Sequence, residues 1–223
     1  TSCRVNENLA AMISEEVDDI MWLGPARNGA FVLAYDPLDG SSNLDVDLTV
    51  GSIFAVSCMR SDDAADVLPD GRDIVCAGYA IYGPSTMLVL TFGERVDGFT
   101  LDEARDCFVL THPEMIIPEQ ANEFAINVSR QRHWDPIIKD YVAGCIDGPA
   151  GHRGKVFNMR WTASMVSDVH RILVRGGVFS IHWIRITKRL VASCAFSMRP
   201  CQWLWLLRQQ VVAQQTVTAR FLT

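Results

Sequence analysis

The apolar positions of this 223-residue chain fall in short runs broken by turn residues, not in one sustained helical repeat. Residues 9–21 read as the end of a helix or strand that runs into an acidic loop, Ser14-Glu15-Glu16. Gly29 to Tyr35 is a brief apolar run, the mark of a buried strand. It is expected to stop at Asp36-Pro37, because proline cannot donate to a ladder. Val50–Val56 reads as a second strand, and Ser61–Asp73 as an acidic surface loop. Ile74–Tyr82 and Thr86–Phe92 are two more strands, separated by the turn Gly83-Pro84. Gly98–Leu101 and Cys107–Leu110 have the look of a hairpin. Asp135–Cys145 and Ala163–Val174 carry helical spacing, and Gly176-Gly177 stops the second. Val178-Phe179-Ser180 opens another strand. Strands alternating with helices predict a layered α/β fold.

Composition narrows the class. A hydrophobic fraction of 49% is that of a globular protein, and no apolar run reaches the roughly 18–20 residues of a membrane span. The seven cysteines never fall as C-x-x-C, which argues against a structural zinc site and a disulfide framework. A reduced, cytoplasmic protein follows. The net charge of −6 disfavours a nucleic-acid partner. Thr1 stands where an initiator Met would, so the start is read as a truncation.

The charge is unevenly spread. Residues 181–223 hold six Lys/Arg and no Asp, Glu or Gly; residues 1–180 hold 14 Lys/Arg against all 26 Asp/Glu. A mixed surface with about 7% Gly is the norm. Taken alone, such a stretch is a basic tail for a membrane or a partner.

The chemistry concentrates at Asp36-Pro37-Leu38-Asp39-Gly40-Ser41-Ser42. Asp36 and Asp39 lie three apart at a strand end, with Pro37 keeping the chain from coiling between them. Their carboxylates and the Leu38 carbonyl are hard oxygen donors of the kind Mg²⁺ takes, alongside waters and phosphate oxygens. Gly40 lets backbone approach a ligand, and successive N–H groups of Gly40, Ser41 and Ser42 can cradle a phosphate. Glu15 and Glu16 offer one carboxylate to complete a metal site and one to orient or deprotonate water. Alone, Asp-Pro-x-Asp-Gly is a surface turn and Glu15-Glu16 a solvated acidic patch; together after a buried strand they suit phosphoryl transfer, which needs positioning and charge neutralisation. His133, His152 and His170 fit no metal spacing, and His170 reads as structural. Trp22, Trp134 and Trp161 read as packing residues.

Asp36–Asn43, Leu44-Asp45, Val50-Gly51-Ser52-Ile53-Phe54, Ala77-Gly78-Tyr79-Ala80 and Ser164–Arg171 with Gly176-Gly177 together resemble the class I fructose-1,6-bisphosphatases over Ala11 to Ser180. The resemblance implies a layered α-β-α-β-α sandwich of the sugar-phosphatase type, truncated at its N-terminus and disrupted after residue 180. It implies Mg-dependent removal of the 1-phosphate of fructose 1,6-bisphosphate, with sedoheptulose 1,7-bisphosphate as the other candidate substrate, and a homo-oligomeric parent. It makes Glu15, Asp36, Asp39 and the Leu38 carbonyl metal ligands, with Glu16 and Asp39 catalytic. Gly40, Ser41 and Ser42 hold the departing phosphate. Asn127 lies near the retained 6-phosphate, Arg160 reaches a neighbouring subunit's site, and Met165 sits under the sugar. Trp161 and Arg130 stand where many relatives have Tyr. On this reading Asp39→Asn removes metal charge and leaves folding nearly intact.

After Ser180 the likeness stops, yet a shifted reading frame restores it. Codons for Cys194–Pro200 read one base earlier give Leu-Arg-Leu-Leu-Tyr-Glu-Ala, a run the family carries. The division expected is therefore 1–180 as a bisphosphatase-like fragment and 181–223 as a frameshifted, non-native tail. Ile181, Ser193 and Arg199 then replace a phosphate-binding tyrosine, a substrate lysine and a metal-ligating glutamate. A non-catalytic remnant is the corresponding rival from outside the enzymes.

Overall fold

The structure, a computed structural model, describes residues 8–23, 31–59 and 73–180. The expectations for the tail 181–223, and for nearly all of the Ser61–Asp73 loop, fall outside those residues.

Eight strands form one sheet: β1 (Leu9–Ser14), β2 (Met21–Trp22), β3 (Phe31–Asp39), β4 (Val50–Cys58), β5 (Ile74–Tyr82), β6 (Thr86–Thr91), β7 (Val96–Asp102) and β8 (Cys107–His112). Their order is β2-β1-β3-β4-β5-β6-β7-β8. From β3 to β8 each strand pairs antiparallel with the next, and short turns connect β5 through β8. β1 lies parallel to β3, with Ser14 opposite Tyr35. The stretch read as a helix or strand end is thus a strand, and the 98–110 hairpin forms as β7 and β8.

β3 does not stop at Asp36-Pro37 as expected. It runs on to Asp39 through an irregularity, with Asp36 opposite Ile53 and Asp39 opposite Gly51. Two residues, Pro37 and Leu38, face the single residue Ser52 in between. A bulge is where a strand tolerates a residue with no N–H to give.

A second, smaller sheet has the order β10-β9-β11, from β9 (Glu123–Ile126), β10 (Asn158–Met159) and β11 (Val178–Ser180), all parallel. Both predicted helices form. α1 (Pro136–Ile146) begins at Asp135, whose side chain accepts from Ile137 N, with Pro136 in the first turn. α2 (Met165–Arg175) begins at Ser164 and ends at Gly176, where φ is 73°.

α2 lies between the sheets. Its Met165, Val166, Val169 and Leu173 join Ile53, Ala55, Tyr79, Ile81 and Val89 of the large sheet in one core, against which Phe179 of β11 packs. α1 covers the small sheet, with Val142 and Cys145 against Phe124, Ile126 and Trp134. Among the described residues the layers are therefore sheet, helix, sheet, helix. No helix among them is long and apolar enough to cross a membrane, and Cys58, Cys76, Cys107 and Cys145 are free thiols.

His170 has the structural place expected of it. Its Nδ1 lies 2.9 Å from the Tyr79 hydroxyl, with the rings edge to face. Burial holds the imidazole below its ordinary value, and His112 pushes the same way. The folded state thus resists protonation more than the unfolded chain does. The stability tied to this ring is complete above pH 6.5 and is lost as pH falls through the lower folded value. Urea midpoints measured from pH 7.5 to 5 should therefore decline, and His170→Gln should flatten part of that slope; an unaltered slope would assign the decline to other groups.

Candidate active site

Parallel pairing of β1 with β3 sets the acidic corner. The register places Ser14 beside Tyr35, and Glu15 N donates to the Tyr35 carbonyl at 3.0 Å. Glu15 and Glu16 therefore emerge next to Asp36. One carboxylate oxygen from each of Glu15, Glu16 and Asp36 lies within 4.8 Å of the others. Asp36 is buried, Glu15 half-buried and Glu16 exposed. Ser14, also buried, accepts from Glu16 N at 3.3 Å, which turns the chain at the strand's end.

Asp39 follows three residues later, only 2% exposed. Its Oδ2 accepts from Ser164 Oγ at 2.8 Å and from Val166 N at 2.9 Å. The large sheet is thus tied to the first turn of α2 through a buried carboxylate on helix-end N–H donors, where the macrodipole favours negative charge. Asp39 is consequently a strut as well as a candidate ligand. The expectation that Asp39→Asn leaves folding nearly intact is revised: both donors fall on Oδ2, so an asparagine would have to aim its one oxygen at them and place an NH2 where Oδ1 sits.

Gly40 is required twice over. Its φ is 77°, and a Cβ there would sit 2.7 Å from Ser164 Cβ. A 3-10 helix, Ser41–Val46, leads away from it. The buried Asn43 donates through Nδ2 to the carbonyls of Thr162 at 2.8 Å and Thr49 at 3.2 Å. That amide fastens the Gly40–Ser42 turn to the segment before α2.

These pieces enclose a cavity of about 310 Å³. Glu15, Glu16, Leu38, Asp39, Gly40, Ser41 and Ser42 line one side, and Trp161, Ala163, Ser164, Met165, Asp168 and Phe179 the other. Ten of these thirteen come from the three segments 15–16, 38–42 and 163–165.

The structure brings Glu15, Glu16, Leu38, Asp39, Gly40, Ser41, Ser42 and Met165 to one cavity, with Asp36 in the acidic group at its edge. It does not bring Asn127 and Arg160 there. Asn127 starts a 3-10 helix, accepting from Ser129 N at 3.1 Å and Ser129 Oγ at 2.6 Å. Arg160 is exposed and lies 3.9 Å from Glu123. Glu123 also receives Arg171 at 2.7 Å and Arg175 at 3.5 Å. Burial alone would raise its carboxyl, but the Arg171 bond and the three guanidinium charges outweigh that and hold it below the usual range.

Sequence reasoning missed Trp161, Phe179, Ala163, Ser164 and Asp168 as site residues. Trp161 does pack, stacked on Phe179 with centroids 6.0 Å apart and planes 16° from parallel, but the pair also walls the cavity. Ala163 adopts φ 60°, uncommon for a residue with a Cβ. Asp168 is buried and accepts from Thr162 N at 3.3 Å. Burial pushes its carboxyl up, the Thr162 bonds and Arg171 pull it down, and Asp39 adds to the rise. The Ser-x-x-Ser spacing of a helix start is a local signal for Ser164, whose Oγ accepts from Ser167 N at 3.4 Å.

Known proteins agree with this architecture. The fructose-1-6-bisphosphatase N-terminal domain family matches residues 2–113, and the C-terminal domain family matches residues 117–201. The boundary falls where the chain leaves the large sheet for the small one. A class 1 fructose-1,6-bisphosphatase of Methylacidiphilum infernorum is 50% identical over 184 residues, covering 79% of this chain and 51% of its own length. One from Methylibium petroleiphilum is 51% identical over 177 residues, covering 77% and 50%. The T-state crystal structure of Leishmania major fructose-1,6-bisphosphatase superposes with a TM-score of 0.72 at 33% identity, over 87% of this chain and 64% of that one. This chain spans about half the length of the two bacterial relatives.

Replacing Ser164 by Ala removes both its bond to Asp39 and its cap on α2. Urea unfolding of the variant should show a loss of about 1–3 kcal/mol; a loss under half of one would mean the strut is incidental.

Proposed function

This chain belongs to the fructose-1,6-bisphosphatase family, and we propose that it carries the core of a divalent-metal-dependent phosphatase site that removes the 1-phosphate of fructose 1,6-bisphosphate. The observation that carries this reading is the acidic group Glu15, Glu16 and Asp36 at the edge of a cavity whose wall is the Gly40–Ser42 turn.

The donor set suits a hard cation. Ligands on one Mg²⁺ with bonds of roughly 2.1 Å lie about 3 Å apart when adjacent and about 4.2 Å when opposite. Carboxylate oxygens within 4.8 Å reach those separations with small side-chain rotations. Glu15 and Asp36 would hold the ion, with Asp39 and the Leu38 carbonyl beside them. When bound, the ion supplies Lewis-acid polarisation of a phosphoryl oxygen and a more acidic water.

The protein's own groups do the rest. Glu16, the most exposed of the three acids, orients a water and takes its proton. Gly40, Ser41 and Ser42 hold the phosphoryl group opposite. Met165 and the Trp161–Phe179 pair border the sugar, presenting apolar surface to its C–H faces. Asn127 and Arg160 lie outside this cavity. Their proposed role is in 6-phosphate binding, for Arg160 across a subunit boundary in a homo-oligomeric parent. The parent would be a cytoplasmic enzyme.

The lack of Asp, Glu and Gly in 181–223 favours a second reading for this particular polypeptide. On it, 1–180 is the native fragment and 181–223 a frameshifted tail, although the C-terminal family match runs on to residue 201, so that the chain as it stands is an impaired remnant. Purified 1–223 should then hydrolyse fructose 1,6-bisphosphate negligibly with Mg²⁺, while the protein with one base restored near codon 180 should turn over. Sedoheptulose 1,7-bisphosphate, assayed beside it, reports substrate preference. Equal turnover by both chains would defeat the frameshift.

Asp39→Asn in the frame-restored protein should cut turnover by about a hundredfold or more and also lower the unfolding midpoint, because Ser164 and Val166 would then share an amide oxygen in place of the carboxyl oxygen they now meet. Wild-type turnover at saturating Mg²⁺ would remove Asp39 from the chemistry.

A further inference from the structure

Pro37 has no N–H, and its place in β3 is opposite Ser52, where the β3–β4 ladder skips a step. Its carbonyl is nonetheless satisfied, since Ser52 Oγ donates to it at 2.7 Å. A serine hydroxyl has one proton. With that proton committed to Pro37, the contact of 3.0 Å between Ser52 Oγ and the Tyr82 hydroxyl has only one consistent direction, Tyr82 donating to Ser52. Tyr82 O–H, Ser52 O–H and the Pro37 carbonyl thus form a directed chain from β5 through β4 to the bulge in β3.

The far side of the same peptide unit is held too. Leu38 N donates to Asp36 Oδ1 at 3.1 Å. A trans peptide is planar and points its carbonyl and N–H in opposite directions. Ser52 grips one edge of the Pro37–Leu38 plane and Asp36 the other, so the orientation of this plane and the rotamer of Asp36 are set together. Asp36 is the most buried of the acidic group.

We infer that Ser52, oriented by Tyr82, is a positioning residue for cation binding, acting through the Pro37–Leu38 peptide on Asp36. Neither hydroxyl belongs to the acidic group or lines the cavity. The inference rests on the metal reading given above. Groups behind metal ligands change affinity by about tenfold or more when removed, whereas a bond serving only the sheet would change stability and leave affinity alone.

The test is Mn²⁺ binding to the full chain, followed by the electron paramagnetic resonance signal of the free ion, without substrate. Ser52→Ala should weaken binding about tenfold. Ser52→Thr keeps the hydroxyl and should stay within about twofold of wild type. Tyr82 is 41% exposed, so Tyr82→Phe is safe for the fold and should weaken binding about threefold, the worth of one ordinary hydrogen bond. Far-UV circular dichroism confirms that each variant is folded. If wild type binds Mn²⁺ and folded Ser52→Ala and Tyr82→Phe bind it equally well, this inference alone is overturned. If wild type at millimolar Mn²⁺ binds no more than Glu15→Gln, the metal reading falls and takes the inference with it.

Discussion

The buried carboxylate of Asp39 is the constraint on which the site depends. It belongs to the large sheet by chain position and to α2 by hydrogen bonding. Placing a carboxyl group where it is 2% exposed is unfavourable unless its acceptors are used, and the hydroxyl of Ser164 and the amide of Val166 meet that demand. Because α2 is also the helix between the two sheets, this one group sets how far the acidic corner of β1 and β3 stands from the segment 161–165. Gly40 then has to be a glycine, since Ser164 is drawn to the place where a side chain would project.

Two acidic arrangements occur along this framework, with opposite electrostatics. Glu15, Glu16 and Asp36 lie close together with like charge, an arrangement that an oxygen-seeking cation relieves. Glu123 instead gathers Arg160, Arg171 and Arg175, and its carboxyl is held low by them. Arg171 also approaches Asp168 at 3.8 Å, so α2 carries polar links at both its start and its middle: Asp39 to Ser164, Thr162 to Asp168, Arg171 to Glu123. The helix is located by hydrogen bonds on its flank and by Val166, Val169 and Leu173 in the core. Such redundancy suits a scaffold that must hold a cavity wall rigidly.

Most elements were legible because their signals are local. The short apolar run Ile74–Tyr82, the turn at Gly83-Pro84, Asp135 with Pro136 at a helix start and Gly176 at a helix end each act within a few residues. β9 and β10 went unread; they are four and two residues long, too short for a period to register. The end of β3 was misjudged at Pro37 for a different reason. Proline does forbid the usual ladder bond, but a hydroxyl from Ser52 on the next strand takes over the carbonyl and the strand continues past it. Trp161, read as packing and as standing where many relatives have Tyr, does stack on Phe179, yet it also borders the cavity.

The chain's own order supplied the donors: Asp36 through Ser42 place oxygen donors and a turn glycine in seven consecutive residues, and their resemblance to one enzyme family needed no coordinates. What the tertiary structure alone decided was assembly. Glu15 and Glu16 meet Asp36 because β1 pairs parallel to β3 in one register, and a register is a property of two strands that neither sequence segment states. Ser164, separated from Asp39 by 125 residues, becomes its partner only because the apolar face of α2 must be buried against β4 and β5. Asn127 and Arg160 stay outside the cavity for the converse reason, being carried on the small sheet and its edge. Local patterns choose elements and donors; burial of surfaces distant in the chain chooses which donors converge.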